Sequence, residues 1–202
     1  GIYIIVVSVS DGETTTTKEF ELIVENMDPT VNVMYDEVID EGTEVSFAAQ
    51  TDDVAADEVK VMWSFPDGSM MEGNFAQYTF RDDGEYLVTM TAEDEDGGVT
   101  QEMLMITVIN VAPQFTQFEI PSGGEEGTAM DFKVSATDPG DDTIVYTFDF
   151  GDDTAVLMSQ DGNMSHKFAE GDTFTVIICA QDEDGGETCL TEEIPVSLLQ
   201  QA

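Results

Sequence analysis

Phe80-Arg-Asp-Asp-Gly-Glu-Tyr-Leu-Val-Thr-Met-Thr-Ala-Glu-Asp-Glu-Asp-Gly-Gly98 decides the fold, because the chain repeats it at Phe168-Ala-Glu-Gly-Asp-Thr-Phe-Thr-Val-Ile-Ile-Cys-Ala-Gln-Asp-Glu-Asp-Gly-Gly186. Phe80 to Phe168 and Gly98 to Gly186 are both 88 positions. Each copy carries an aromatic residue, then a stretch that alternates or runs apolar with β-branched residues throughout, then an acidic Gly-Gly turn. That is the pattern of a strand entering a hairpin. Self-similarity at such a period means stacked units of one kind.

A third copy opens the chain. Gly1-Ile-Tyr3 leads through alternating residues to Ser10-Asp11-Gly12, as Gly84-Glu-Tyr86 leads to Glu93-Asp94, at an offset of 83. The return strands repeat too. Phe20-Glu-Leu-Ile-Val-Glu-Asn26 is followed by Pro29, and Met103-Leu-Met-Ile-Thr-Val-Ile-Asn110 by Pro113; both the asparagines and the prolines are 84 apart. Proline cannot continue a ladder, so each pair closes a strand and opens a linker. The expected organisation is residues 1–27 as the last hairpin of a preceding domain or a strand-exchange segment, 28–110 as one whole repeat, and 111–198 as another. Gly1–Asn26 has apolar faces that a two-stranded hairpin cannot bury alone. It must pair with further chain or complete a neighbouring subunit by strand addition, which would build a filament or surface layer.

Everything else reads as strand. Residues 45–49 and 132–136 alternate, and Pro66-Asp-Gly68, Pro139-Gly-Asp-Asp142, Gly151-Asp-Asp153 and Asp161-Gly162 mark turns. About seven short strands in about 85 residues is the signature of an immunoglobulin-like β-sandwich. No segment holds a helical period, and the acidic stretch 52–58 has room for one helical turn at most. The fold class is all-β, in tandem.

Charge excludes several functions. There are 44 acidic residues against five basic ones, Lys18, Lys60, Arg81, Lys133 and Lys167, for a net charge of −39. Such a chain repels nucleic acid and anionic lipid. It suits saline surroundings, as in halophilic proteins, or cation binding at particular loops. No apolar run approaches the roughly 20 residues of a membrane-spanning helix.

Val134-Ser-Ala-Thr-Asp-Pro-Gly-Asp-Asp-Thr-Ile-Val-Tyr-Thr-Phe-Asp-Phe-Gly-Asp-Asp153, with His166-Lys-Phe168, Gly171, Phe174 and the Asp182–Gly186 turn, resembles a PKD domain, whose mark is an aromatic-x-Phe-Gly-Asp-Gly turn. The middle repeat departs from that mark, with Trp63-Ser-Phe-Pro-Asp-Gly68 and Tyr78-Thr-Phe80; the last carries Asp153 for the final glycine. The resemblance implies extracellular, cell-surface spacers and adhesion modules, partnered by neighbouring domains or subunits, and it brings no catalytic residues. The linkers Asn26-Met-Asp-Pro29 and Asn110-Val-Ala-Pro113 also echo cadherin-like arrays without their dense aspartates.

No catalytic constellation stands out. His166 is the one histidine and sits in a strand pattern, where packing is the ordinary role. No Ser-His-Asp order, HExxH or phosphate-cradling loop is present. The acidic turns are the functional candidates, because hard cations such as Ca2+ take six to eight carboxylate and carbonyl oxygens. In this topology the B–C and F–G loops lie at the end where the linker enters. That gathers Asp138, Asp141 and Asp142 with Asp182, Asp184 and Asn110, and in the preceding repeat Asp52 and Asp53 with Asp94, Asp96, Asn26 and Asp28. The alternative is a set of solvated turns in which Asp and Gly serve the backbone.

Cys179 and Cys189 lie symmetrically about Asp184, so the hairpin would face them across paired strands, as a disulfide or as two buried thiols. Asn163-Met-Ser165 is a glycosylation sequon in a polar loop. Trp63 is expected in the core, and the eleven methionines, Met70, Met71, Met103 and Met105 among them, are expected to fill core gaps. The reading is a structural or adhesive array with calcium-stiffened joints; the alternative is a non-catalytic accessory module of a secreted hydrolase that binds polysaccharide or protein.

Overall fold

The structure, a computed structural model, describes residues 1–54 and 57–199. Two positions of the stretch 52–58, which has room for one helical turn at most, lie outside the described residues. The described residues form eighteen strands and no helix, so none of them forms a helix long and apolar enough to cross a membrane. The opening hairpin is β1 (Ile2–Ser10) with β2 (Thr15–Ile23). The middle repeat runs β3 (Thr30–Met34), β4 (Val38–Asp40), β5 (Glu44–Asp52), β6 (Lys60–Ser64), β7 (Met70–Glu72), β8 (Phe75–Thr79), β9 (Gly84–Glu93) and β10 (Val99–Ile109). The last runs β11 (Gln114–Glu119), β12 (Gly124–Glu125), β13 (Met130–Thr137), β14 (Val145–Asp149), β15 (Leu157–Ser159), β16 (Asn163–His166), β17 (Thr173–Gln181) and β18 (Glu187–Ser197).

The two whole repeats share one sheet plan. Five strands order β4-β10-β9-β6-β7 beside a three-stranded β3-β5-β8, and β12-β18-β17-β14-β15 beside β11-β13-β16. Among the described residues each repeat has eight strands, against the about seven expected. The additional one, β4 or β12, is only two or three residues long and joins its sheet in parallel, Thr107 against Val38 and Gly124 against Val196. Strands that short carry too little alternation to be read from sequence.

Packing groups the described residues into two units: Gly1–Tyr35 with Ser46–Gln77 and Leu87–Met105, and Asp36–Val45 with Tyr78–Tyr86 and the segment from Ile106 onward. The division runs through the middle repeat. In the first unit Phe47 packs against Trp63 and Phe65, with ring centroids 5.6 and 5.7 Å apart. Trp63 is fully buried and donates its indole N–H to the Gly73 carbonyl at 2.8 Å. In the second, Phe132, Phe148, Phe150, Phe168, Ile178 and Ile194 fill the core, and Phe150 meets Phe132 edge-on.

The methionine expectation is corrected. Met90 and Met130 are buried, but Met70, Met71, Met103 and Met105 are 62%, 38%, 70% and 53% exposed. Met103 and Met105 alternate along β10 with buried Leu104 and Ile106, and the pleat therefore points them outward. Met70 and Met71 lie on β7, an edge strand.

Strands β1 and β2 pair with each other from Ile2–Ile23 to Ser10–Thr15 and are exposed throughout. Tyr3 faces Leu22 and Ile5 faces Phe20, so these four share one face. Three of their counterparts in the middle repeat, Val88, Leu104 and Ile106, are buried. The hairpin thus carries a core face like that of β9 and β10.

Candidate metal centre

The repeated acidic turns are built identically. Asp94 is buried, and its Oδ1 accepts from the backbone N–H groups of Asp96 (2.9 Å) and Gly98 (2.8 Å). Its Oδ2 accepts from the Asn26 amide at 2.8 Å. Asp182, also buried, accepts from Asp184 (3.1 Å), Gly186 (2.7 Å) and the Asn110 amide (3.2 Å). A Cβ on Gly98 would strike the Asp94 carboxylate and lie 2.9 Å from Asp28 Oδ1; one on Gly186 would strike Asp182 and lie 2.9 Å from Ala112 Cα. The second glycine of each pair is therefore a space requirement, set by the carboxylate that caps the turn.

At the first linker, in the first unit, Asn26, Asp28 and Asp94 gather around Gly98. Asp53 Oδ1 accepts from Val54 N–H at 2.7 Å, while its Oδ2 is buried without a hydrogen-bond partner. Asp52 and Asp96 are exposed, and Asp52 offers its backbone carbonyl to Thr30. Donation from Asn26, then from the Gly98, Asp96 and Gly97 N–H groups, holds the Asp94 carboxyl below its ordinary value against a smaller desolvation effect. Asp57, which the sequence reading did not name, is pushed up by burial and by Asp96, Asp53 and Asp94.

At the second linker, in the second unit, carboxylate oxygens of Asp138, Asp142 and Asp182 all lie within 4.8 Å of one another. Asn110 joins them through Asp182. The two remaining residues named from sequence go elsewhere. Asp141 is exposed and pairs with Arg81 at 3.2 Å. Asp184 is exposed and groups with Asp82 and Asp83. Sequence reasoning missed Glu41, Asp82 and Asp83. Glu41, in the turn between β4 and β5, is only 1% exposed. Its Oε1 accepts from Val111 N–H at 2.7 Å, and its carboxylate groups with those of Asp82 and Asp142 within 4.8 Å. The signal that could have found it is a third echo, Glu41-Gly42-Thr43 and Glu126-Gly127-Thr128.

Crowding shows in the acidities. Burial, then the charges of Glu41, Asp138, Asp184 and Asp82, push the Asp142 carboxyl up to about 7. Burial also raises Glu41, partly offset by Val111 N–H, with Asp138, Asp83 and Asp182 adding to the rise. Among the described residues, the buried side-chain atoms without a hydrogen-bond partner are Glu41 Oε2, Asp53 Oδ2, Asn110 Oδ1, Asp138 Oδ2 and Asp142 Oδ2. All are oxygens, and all lie at the two linkers. Buried polar atoms are almost always partnered, so such a gathering needs a cause. Oxygens on opposite sides of Ca2+ lie roughly 5 Å apart, given ligand distances of about 2.3–2.6 Å. Carboxylate oxygens within 4.8 Å of one another are close enough to share one such ion.

The other candidates resolve simply. Cys179 and Cys189 are cross-strand partners on β17 and β18 and form a disulfide. Asn163 is exposed but opens strand β16 rather than lying in a loop, and its amide donates to the Asp161 carbonyl at 3.2 Å. His166 stacks on Phe150 at 3.8 Å, with Nε2 2.7 Å from Asp152 Oδ2. Burial alone would raise Asp152, but the Thr154 and His166 hydrogen bonds outweigh it and hold the carboxyl below its ordinary value.

No curated protein sequence matches the chain. Among solved structures, the fibronectin(III)-like modules of Clostridium thermocellum CbhA are similar over 85% of this chain and 98% of theirs, at 18% identity and a TM-score of 0.40. The PKD1 domain of Vibrio anguillarum Epp is similar over 42% of this chain and its whole length, at 24% identity and a TM-score of 0.34. The insect immune protein hemolin is similar over 98% of this chain and 56% of its own, at 16% identity and a TM-score of 0.49. The family model for the PKD domain matches twice, over residues 26–108 and 110–198, and the chain belongs to the PKD-domain family.

Proposed function

We propose that this chain is a non-catalytic spacer and adhesive segment of an extracellular array, with calcium stiffening the joints between its domains. Each sandwich spaces the next, and its partners are neighbouring domains or subunits of its own kind. The acidic surface keeps the rod soluble in salt water. The disulfide fits an oxidising compartment. The observation that carries the calcium reading is the set of partnerless buried oxygens at the two linkers. A hard cation would satisfy them, neutralise the carboxylates around them and fix the linker against the turns. Asn110, Asp138, Asp142 and Asp182 would hold one ion, and Asn26, Asp28, Asp53 and Asp94 another.

Small-angle scattering of the whole chain tests the joint. Calcium, compared with chelator at fixed ionic strength, is expected to narrow the spread of interdomain distances. Profiles that coincide in the two conditions would contradict the reading.

A further inference from the structure

We propose that Glu41, Asp82 and Asp142 hold a divalent cation shared between consecutive repeats, with Asp142 belonging both to this group and to the Asp138–Asp182 group. The inference rests on the reading that the joints take calcium. It adds ligands from the repeat that precedes the linker, so the ion would lock two sandwiches rather than stiffen one loop.

Glu41 is the reason. A carboxylate 1% exposed, with one oxygen bound to Val111 N–H and the other without a hydrogen-bond partner, is costly unless something positive meets it. Its carboxylate groups within 4.8 Å with those of two further acids, Asp82 and Asp142, and Asp142 Oδ2 is likewise buried without a hydrogen-bond partner. Arg81 is committed to Asp141. Three hard oxygens within 4.8 Å, drawn from two repeats, are a donor set for Ca2+ rather than for a soft metal.

The backbone holds this arrangement in place. Gly42 has φ +68° and donates to the Phe80 carbonyl at 2.8 Å. A Cβ there would strike the Pro139 carbonyl, and a Cβ on Gly140 would lie 2.7 Å from Glu41 Oε2. The two loops interlock here, and at Gly42 no side chain fits. Asp141 N–H donates to the Arg81 carbonyl at 2.8 Å and fixes the approach from the other side.

The fold builds the glutamate's position twice. Gly127 donates to the Phe168 carbonyl at 2.8 Å as Gly42 does to Phe80. Glu126 Oε1 accepts from Leu199 N–H at 3.1 Å, as Glu41 Oε1 accepts from Val111. The exit end of each whole repeat thus presents a glutamate on the same backbone device.

Calcium titration calorimetry on the full chain tests the proposal, with E41Q, D82N, D182N and D94N compared with the parent. Thermal unfolding in chelator checks that each variant is folded. E41Q and D82N are expected to remove one equivalent of bound calcium or to weaken it at least ten-fold, while D94N leaves that equivalent intact. Binding by E41Q and D82N that matches the parent in number and affinity overturns the shared site. If D182N loses an equivalent and E41Q does not, the linker reading stands and this inference falls. If the parent binds no calcium, both fall together.

Discussion

Glu41→Gln should make the calcium-free protein more stable, although it alters one of its most buried side chains. Glu41 is 1% exposed, and its Oε2 has no hydrogen-bond partner. The amide keeps the carbonyl oxygen that accepts from Val111 N–H. In place of Oε2 it offers an NH2 donor toward Asp82 and Asp142, whose carboxylates lie within 4.8 Å. A buried unpaired charge is thereby exchanged for a donor facing acceptors, a gain of about 1–2 kcal/mol. At roughly 4–8 °C per kcal/mol for a domain of this size, the melting temperature should rise by about 4–16 °C. Differential scanning calorimetry in chelator at pH 7.5 reads this directly. In saturating calcium the order should reverse, with the parent more stable. A variant less stable than the parent in chelator would mean that Glu41 is satisfied without an ion.

In chelator, stability should fall as pH rises from about 4 to about 7, because folded Asp142 keeps its proton to about 7 whereas the unfolded chain releases it near 3.8. Glu41 and Asp184 act in the same direction. The lowered carboxyls Asp94 and Asp152 work oppositely, and their contribution is lost as pH falls below 3.8. Urea midpoints across this range check the sign, and a profile that rises from pH 4 to 7 contradicts it. Reducing the Cys179–Cys189 bond, at a sequence separation of 10, should cost about 2–3 kcal/mol through the freed unfolded chain; unchanged guanidinium midpoints with and without reductant would count against it. Trp63→Ala should cost about 3–5 kcal/mol from its fully buried, hydrogen-bonded position, a loss measurable by far-ultraviolet dichroism during urea unfolding, and a loss below about 1 kcal/mol would contradict that placement.

What could be read in advance was whatever the chain repeats locally. The Phe80–Gly98 and Phe168–Gly186 echo carries its own strand period and turn residues, so the sheets and the capping role of Asp94 and Asp182 follow from neighbours a few positions away. The two prolines mark the linkers in the same way. Glu41 was illegible for the opposite reason. Its burial depends on Gly140 and Val111, about 70 or more positions distant, and among 44 acids its one mark is the short echo of Glu41-Gly42-Thr43 at Glu126-Gly127-Thr128, which does not show burial. Asp141 and Asp142 are adjacent and identical in type, yet one turns to Arg81 and the other into the cluster. Only the turn geometry separates them. Met103 and Met105 face outward because the alternation along β10, which buries Leu104 and Ile106, outweighs residue type.

If the linker carboxylates are an ion site and not merely solvated acid, their response to salt depends on the cation. Thermal unfolding of the whole chain in calcium, against sodium or magnesium at the same ionic strength, tests it most directly. A rise specific to calcium is expected, about 2.7 kcal/mol at one hundred times the dissociation constant. An equal response to every salt would mean that screening alone relieves the crowding and would contradict the claim.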